Sequence, residues 1–479
     1  MKKKIISIIT LLMLIPTVAY AVPDAPPGGF GGQEGPGDGG GSTNISYSGK
    51  TKFTSNMTED SKSYGSTTGG ENALLVSGGT STISNATITK SGDPSDENSD
   101  FYGTNAAVLV YNGATLNING GTVTTNGGHA NGVFAGTSGT ININKTTINT
   151  TGNNSGGIMV TGGGVLKATD LTIQTKGNSS AAIRSDRGGG TLTVNGGIYE
   201  TSGVGSPAIY STADITVNNA TLNSTASEGV VVEGANSVTL NKVKLTDTNN
   251  TLNGNSETYK NIFIYQSMSG DASEGTGSFT AKNSTIKTNN GDTFFVTNTN
   301  ATINLENNTI INKVGDFLRI QTGKWGNSGS NGGNVTLTMK NQKVEGNIIV
   351  DNISTLNMSL LNKSVFTGSI DSENQAKNVK LSMSKDSVMI LTKDTYLDEL
   401  SNEQGDNSNI YLNGHKLYVN GKETSANNGK YKNNSATVTK DENKTTNSNF
   451  NYLYVVGIII LGLVIGSIAV LIKNYKATK

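Results

Sequence analysis

The sequence predicts an all-β chain: a right-handed parallel β-helix (solenoid) with a C-terminal single transmembrane helix. Three observations lead there. A motif recurs about every 25 residues, each recurrence alternates with the strand period of two, and an asparagine returns at one fixed place in successive recurrences.

The motif is a small or polar pair followed by three mostly apolar residues. It reads AAVLV (106–110), NGVFA (131–135), GGIMV (156–160), AAIRS (181–185), PAIYS (207–211) and EGVVV (228–232). Looser copies are NALLV (72–76), NIFIY (261–265), DTFFV (292–296), GDFLR (315–319) and GNIIV (346–350). Their central residues are Leu74, Val108, Val133, Ile158, Ile183, Ile209, Val230, Ile262, Phe294, Phe317 and Ile348, separated by 34, 25, 25, 25, 26, 21, 32, 32, 23 and 31 residues. A floor with occasional longer steps is the pattern of stacked coils, because an insertion bulges outward without disturbing the turn beneath it.

Between anchors, TLTVN (191–195), DITVN (214–218) and SVTLN (237–241) alternate apolar and polar, turning Leu192 and Val194, Ile215 and Val217, Val238 and Leu240 to one side. A third short strand is centred on Val123, Ile148, Ile173, Tyr199, Leu222 and Leu245. Three strands per short repeat fit a parallel solenoid; a β-propeller needs about 40 to 45 residues and four strands per repeat. Asn119, Asn144, Asn195, Asn218 and Asn241 recur at one position, with Thr169 once in their place. Stacked amides at such a position hydrogen-bond along the axis, and asparagine tolerates the left-handed backbone a tight turn needs.

In NGGTVTTNGGHANGVF, SSAAIRSDRGGGTLTVNGG and GSPAIYSTADITVNNATL the chain resembles the right-handed β-helix surface proteins of adhesin-like type, related in fold to pectate lyases. The resemblance covers roughly Gly70 to Gly421. It implies the fold; for function it implies a choice, because that fold hosts lyases, hydrolases and adhesins.

The elements follow in chain order. Residues 1–21 read as a signal peptide: Lys2, Lys3 and Lys4, an apolar run, then Ala19-Tyr20-Ala21. Residues 22–43, rich in Pro and Gly, have too little apolar content to offset the entropy of ordering and read as a flexible leader. The β-helix is expected over 44–420, its last part, about 377–420, losing the anchor motif and capping the stack against edge pairing. Residues 421–451 read as an Asn-, Lys- and Thr-rich stalk. Residues 452–472 are uncharged and long enough to span a bilayer, and 473–479, with Lys473, Lys476 and Lys479, form a cytoplasmic tail. The expected location is the cell membrane, single-pass, with the body outside.

With 36 basic and 36 acidic residues the chain lacks the positive field of a nucleic-acid binder. With no Cys it has no disulfides, thiolate zinc site or cysteine nucleophile. A lyase needs a basic residue beside clustered carboxylates, and an inverting hydrolase needs two carboxylates about 6.5–9.5 Å apart. No acids recur at equivalent positions of adjacent repeats. The nearest catalytic candidate is Arg184, Asp186 and Arg187 with Glu233; equally, Asp186 and Arg187 read as an ion pair steadying a turn. His129 and His415 lie far apart and read as surface residues. The acidic loop with Asp93, Asp96, Glu97 and Asp100 is a weak calcium candidate whose spacing matches no calcium loop. No cofactor is expected.

The residue after each central anchor residue should point outward. These are Leu75, Leu109, Phe134, Met159, Arg184, Tyr210, Val231, Phe263, Phe295, Leu318 and Ile349, all but Arg184 apolar or aromatic. Either this stripe is an open binding surface, with Phe134, Met159, Arg184, Tyr210, Phe263, Phe295 and Trp325 as its contacts, or the insertions at 267–277 and 322–333 fold back over it. Trp325 then stacks on a sugar or pins its loop. The sequence thus favours a non-enzymatic, adhesin-like or carbohydrate-binding protein whose partner is an extracellular glycan or a protein of a host or neighbouring cell. The alternative is a surface-tethered polysaccharide lyase or glycoside hydrolase.

Overall fold

Each repeat lays down three strands, and each strand pairs in parallel with its copy in the next repeat. Strand Val133–Ala135 joins Ile158–Val160 with Val133 opposite Ile158, Thr140–Asn144 joins the next copy with Ile141 opposite Leu166, and Thr147–Thr150 joins Thr172–Thr175 with Ile148 opposite Ile173. Propagated along the chain, this gives a β-solenoid of about 15 turns with sheets of 12, 14 and 10 strands, a four-stranded sheet taking over where the third one stops. The computed structural model describes residues 45–95, 99–252 and 256–431. The signal-peptide segment 1–21, the 22–43 leader, the 452–472 span, the 473–479 tail, Asp96 and Glu97 lie outside them. Among the described residues no helix is long and apolar enough to cross a membrane.

The alternation read from the sequence is the alternation of burial. In Thr140–Asn144 the side chains of Ile141 and Ile143 fill the interior while Thr140, Asn142 and Asn144 face outward. The interior is a column of Ile, Val and Leu, each full burial stabilising by roughly 1.5–3 kcal/mol. It widens to an aromatic chain at Phe279, Phe294 and Phe317, whose rings meet edge to face 5.5 and 5.6 Å apart.

The last residue of each third-sheet strand also points inward, but is polar. Thr150, Thr175 and Ser224 are buried there, and their hydroxyls donate to the carbonyls of Ser155, Ser180 and Ser227, satisfying turn groups that face no water. Asp247 occupies this same position between Ser224 and Thr288.

The asparagine ladder is present: Asn144 donates to Asn119 at 2.6 Å and Asn218 to Asn195 at 3.0 Å. Its conformational role differs from the expectation. The ladder asparagines end their strands, and the left-handed residue is the one after them: Gly120, Lys145, Gly196, Asn219 and Lys242, with Asn85 after Ser84 and Asp170 after Thr169 at the same place. The amide ladder and the strained turn are adjacent jobs held by different residues. Lys145, exposed at φ 49°, carries the Cβ penalty that its neighbour Gly120 avoids. Lys145→Gly is expected to raise stability by about 1 kcal/mol, read as a higher urea midpoint; an unchanged or lower midpoint would contradict this.

Two boundaries shift. In the tenth anchor Leu318, not Phe317, pairs with Phe294, so the outward residue is Arg319 and Phe317 belongs to the core. GDFLR offers two adjacent apolar residues, and the motif alone cannot choose between registers. The cap also runs past 420. Lys422–Glu423 pairs antiparallel with Leu417–Val419, Asn427 exchanges backbone bonds with Ile410 and Leu412, and the rings of Tyr411 and Tyr431 meet 5.1 Å apart. Polar composition suggested a stalk from 421, but backbone pairing at a sheet end asks little of side chains.

Candidate functional site

Over its middle strands the first sheet differs from the other two in being buried on both faces. Strands Val108–Val110, Val133–Ala135, Ile158–Val160 and Ile183–Ser185 have no exposed residue. The outward stripe is therefore no open surface. Phe134 and Met159 are 0% exposed and pack with Leu75, Ala106 and Leu109 into a small outer core. Over it lies the 91–107 insertion, whose Gly103 runs so near Phe134 that a Cβ would come within 2.8 Å of the ring. A second outer core holds Val231, Phe263, Tyr265 and Phe295, with Tyr210 and Trp325 against it. Trp325 is the pin of its loop: its ring lies 5.2 Å from that of Tyr265, and its carbonyl accepts from Asn331 at 2.9 Å. Apolar residues that must leave water brought the insertions down on them.

Between the two outer cores the stripe is interrupted, and the interruption is Arg184. The residue is 9% exposed, with its guanidinium 3.0 Å from Asp186 and 4.0 Å from Asp100. Asp100 sits in the short helix Ser99–Tyr102 of the first insertion, 3% exposed, with its other oxygen 3.0 Å from His129 Nδ1. The acidic loop thus delivers one carboxylate to the site, and His129 is half-buried beside it. Asp93 turns elsewhere, accepting from the Gly128 N–H. His415 stays remote, near Asp394. Among the described residues no group of three or more metal-binding side chains occurs.

Arg187 pairs not with Asp186 but with Asp271 of the second insertion, at 2.6 Å, while its guanidinium covers the Phe101 ring at 3.7 Å. One exposed side chain so ties both insertions together across the sheet. Glu233, fully buried, accepts hydroxyl bonds from Tyr210, Ser267 and, at 3.1 Å, Tyr265.

Asp100, Phe101, Arg184, Asp186, Tyr210 and Asp271 border a small cleft of about 50 Å³ on the outer face of the first sheet. Pro207 and Ala181 add to its lining. Burial pushes the Asp186 carboxyl up to about 6, with Arg184 opposing it. Glu233 is likewise raised by burial against the pull of its hydroxyl donors. Two polar atoms sealed beneath the surface here, Arg184 Nη1 and Asp100 Oδ1, have no hydrogen-bond partner among the described residues.

Arg184, Asp186 and Glu233 were singled out from the sequence, and the structure places them in one neighbourhood with Arg187 above. Asp271 is not signalled by the sequence, and Asp100 appears there only within an acidic loop that is a weak calcium candidate. Both arrive on insertions, so no repeat-to-repeat register announces them. The readable signal was the single charged residue in an otherwise apolar stripe.

No family model, no curated protein and no solved structure matches this chain.

Proposed function

We propose that this chain is a carbohydrate-binding, adhesin-like β-helix protein displayed at the cell surface, with an extracellular glycan or a surface protein of a host or neighbouring cell as its partner. One observation carries the reading. The cleft at Arg184 combines apolar lining, Phe101, Pro207 and Tyr210, with the charged groups of Arg184, Asp186 and Asp271, which is the pairing a sugar ring asks for with its C–H faces and hydroxyls. Display rests on the sequence ends: a signal peptide, and an uncharged 452–472 span followed by lysines, holding the body outside and the C-terminus in the cytoplasm.

The purified full-length chain is expected to bind glycans on an array, with Arg184→Ala abolishing the binding. An array on which it binds nothing would remove the proposal. A second reading, a polysaccharide lyase or hydrolase, is favoured by Asp186, a cleft carboxyl raised to about 6, near the working range of a general acid. Incubation with a polysaccharide panel separates the two. Reducing ends or unsaturated products that vanish in Arg184→Ala would establish the enzyme.

A further inference from the structure

We infer that the groove between the second and third insertions is a further binding site, which takes the continuing residues of an uncharged, hydroxyl-rich chain. This rests on the glycan-binding reading and extends it from one sugar to an oligosaccharide. The groove has a volume of about 480 Å³, in the range of ligand sites and far roomier than the cleft of about 50 Å³. Its lining is rich in amides, Gln266, Asn298, Asn300, Asn327 and Asn334, together with the Ser330 hydroxyl. An amide both donates and accepts, as a sugar hydroxyl does, so the two match in either direction. An apolar ligand would strip these groups of water without bonding them. Among the described residues Glu274 is the one charged side chain in the lining, so an anionic ligand meets repulsion and no cation.

The amides are set in place before a ligand arrives. Asn334 donates to Asn300 Oδ1 at 3.0 Å and accepts from Thr355 at 2.9 Å, which fixes the end of each amide that bears its N–H groups. Both residues are exposed, and beyond those bonds Asn300 has two N–H groups to offer and Asn334 one. Asn298 donates to the Gln266 carbonyl at 2.8 Å, and Gly326 of the third insertion lies so near that a Cβ there would stand 2.1 Å from Asn298 Oδ1. That insertion is held by the buried Asn331, which donates to the carbonyls of Gly323 and Trp325 at 2.8 and 2.9 Å. Walls already fixed lose little entropy on binding.

Position makes the groove a continuation of the Arg184 cleft. The second insertion lends Asp271 to the cleft and Met268, Glu274 and Gly275 to the groove. Asp271 is three residues from Met268 and from Glu274, a reach of at most about 11 Å either way. The rest of the cleft comes from turns before this insertion, and Asn298, Asn300 and Asn334 of the groove come from turns after it. A chain lying along the solenoid axis therefore meets the cleft and then the groove. No aromatic residue is in the groove lining among the described residues, so a sugar has no ring to stack on there. The groove adds affinity to a chain that the cleft already holds, and loss of Arg184 still removes binding.

The test is titration of the full-length chain with disaccharides and hexasaccharides of the glucan, mannan, galactan and chitin series. In a series that binds, the wild type is expected to hold the hexasaccharide about tenfold more tightly than the disaccharide, the worth of two amide hydrogen bonds. The double variant Asn300→Ala, Asn334→Ala, and separately Asn327→Arg, which crowds the groove from the third insertion, should lose that gain. Both should keep the wild-type disaccharide affinity, which also reports that they fold. Hydrogen exchange of the wild type with the hexasaccharide should protect amides at 298–300 and 326–334. Equal wild-type affinities for the two lengths, a gain that survives in both variants, or no protection at those amides would overturn the inference while leaving glycan binding in place. Failure to bind any oligosaccharide would overturn both.

Discussion

Replacing Asp247 with threonine is expected to stabilise the solenoid, and by more as the pH rises. Asp247 stands in the inward polar column where Ser224 and Thr288 precede and follow it, fully buried, with no hydrogen-bond partner for either carboxyl oxygen among the described residues. The Asn249 backbone N–H faces the carboxyl and favours its charged form. Burial pushes its pKa up to about 9 against that N–H and Lys260, with Glu228 adding to the rise. The buried Lys260 is already matched by Glu228 at 3.2 Å, so an ionised Asp247 would be a surplus charge. The sign follows from where the proton sits. Between the unfolded value near 3.8 and the folded value near 9, folding takes up a proton, so stability is full below about 4 and falls as pH rises towards 9. At pH 7 that cost is of order 4 kcal/mol. Threonine removes it and keeps a hydroxyl of the kind the column uses. Chemical denaturation of both chains between pH 5 and 9 reads the difference, which should widen by about 1.4 kcal/mol per pH unit. A constant difference, or a less stable variant at pH 8, would show that Asp247 is ionised and paired in the fold.

The second large effect is at Arg184. Arg184→Leu should cost about 3–5 kcal/mol, because it strands the buried carboxylates of Asp100 and Asp186 without their cation. Adding Asp100→Asn and Asp186→Asn should recover most of that loss, since what destabilises is the uncompensated charge and not the absent contact. Urea midpoints of the single and triple variants decide it. A triple variant no more stable than Arg184→Leu would mean that the guanidinium packs rather than neutralises.

The turns of the solenoid were legible because each repeats its reasons. Ile141 and Ile143 alternate with polar neighbours as Leu166 and Ala168 do, and a slip of one residue would turn a whole strand inside out. The register failed only at Phe317 and Leu318, where neighbouring apolar residues make both choices equally good. The site was legible in half. Residues on the repeat, Arg184, Asp186 and Glu233, could be placed on one face by counting turns. Asp100 and Asp271 could not, because an insertion's landing place depends on what it covers. Phe134, Met159, Phe263 and Phe295 were read as possible contacts for a ligand, and they are contacts, with the chain's own loops. Outward apolar residues on a solenoid therefore have two meanings, and the length of the insertions nearby helps to separate them.

The account centres on the cleft at Arg184, and a crystal structure of the chain with a bound neutral oligosaccharide tests it most directly. The expected result is a sugar ring lodged in that cleft against Tyr210 or Phe101. A sugar bound along another face of the solenoid, with the Arg184 cleft untouched, would contradict it.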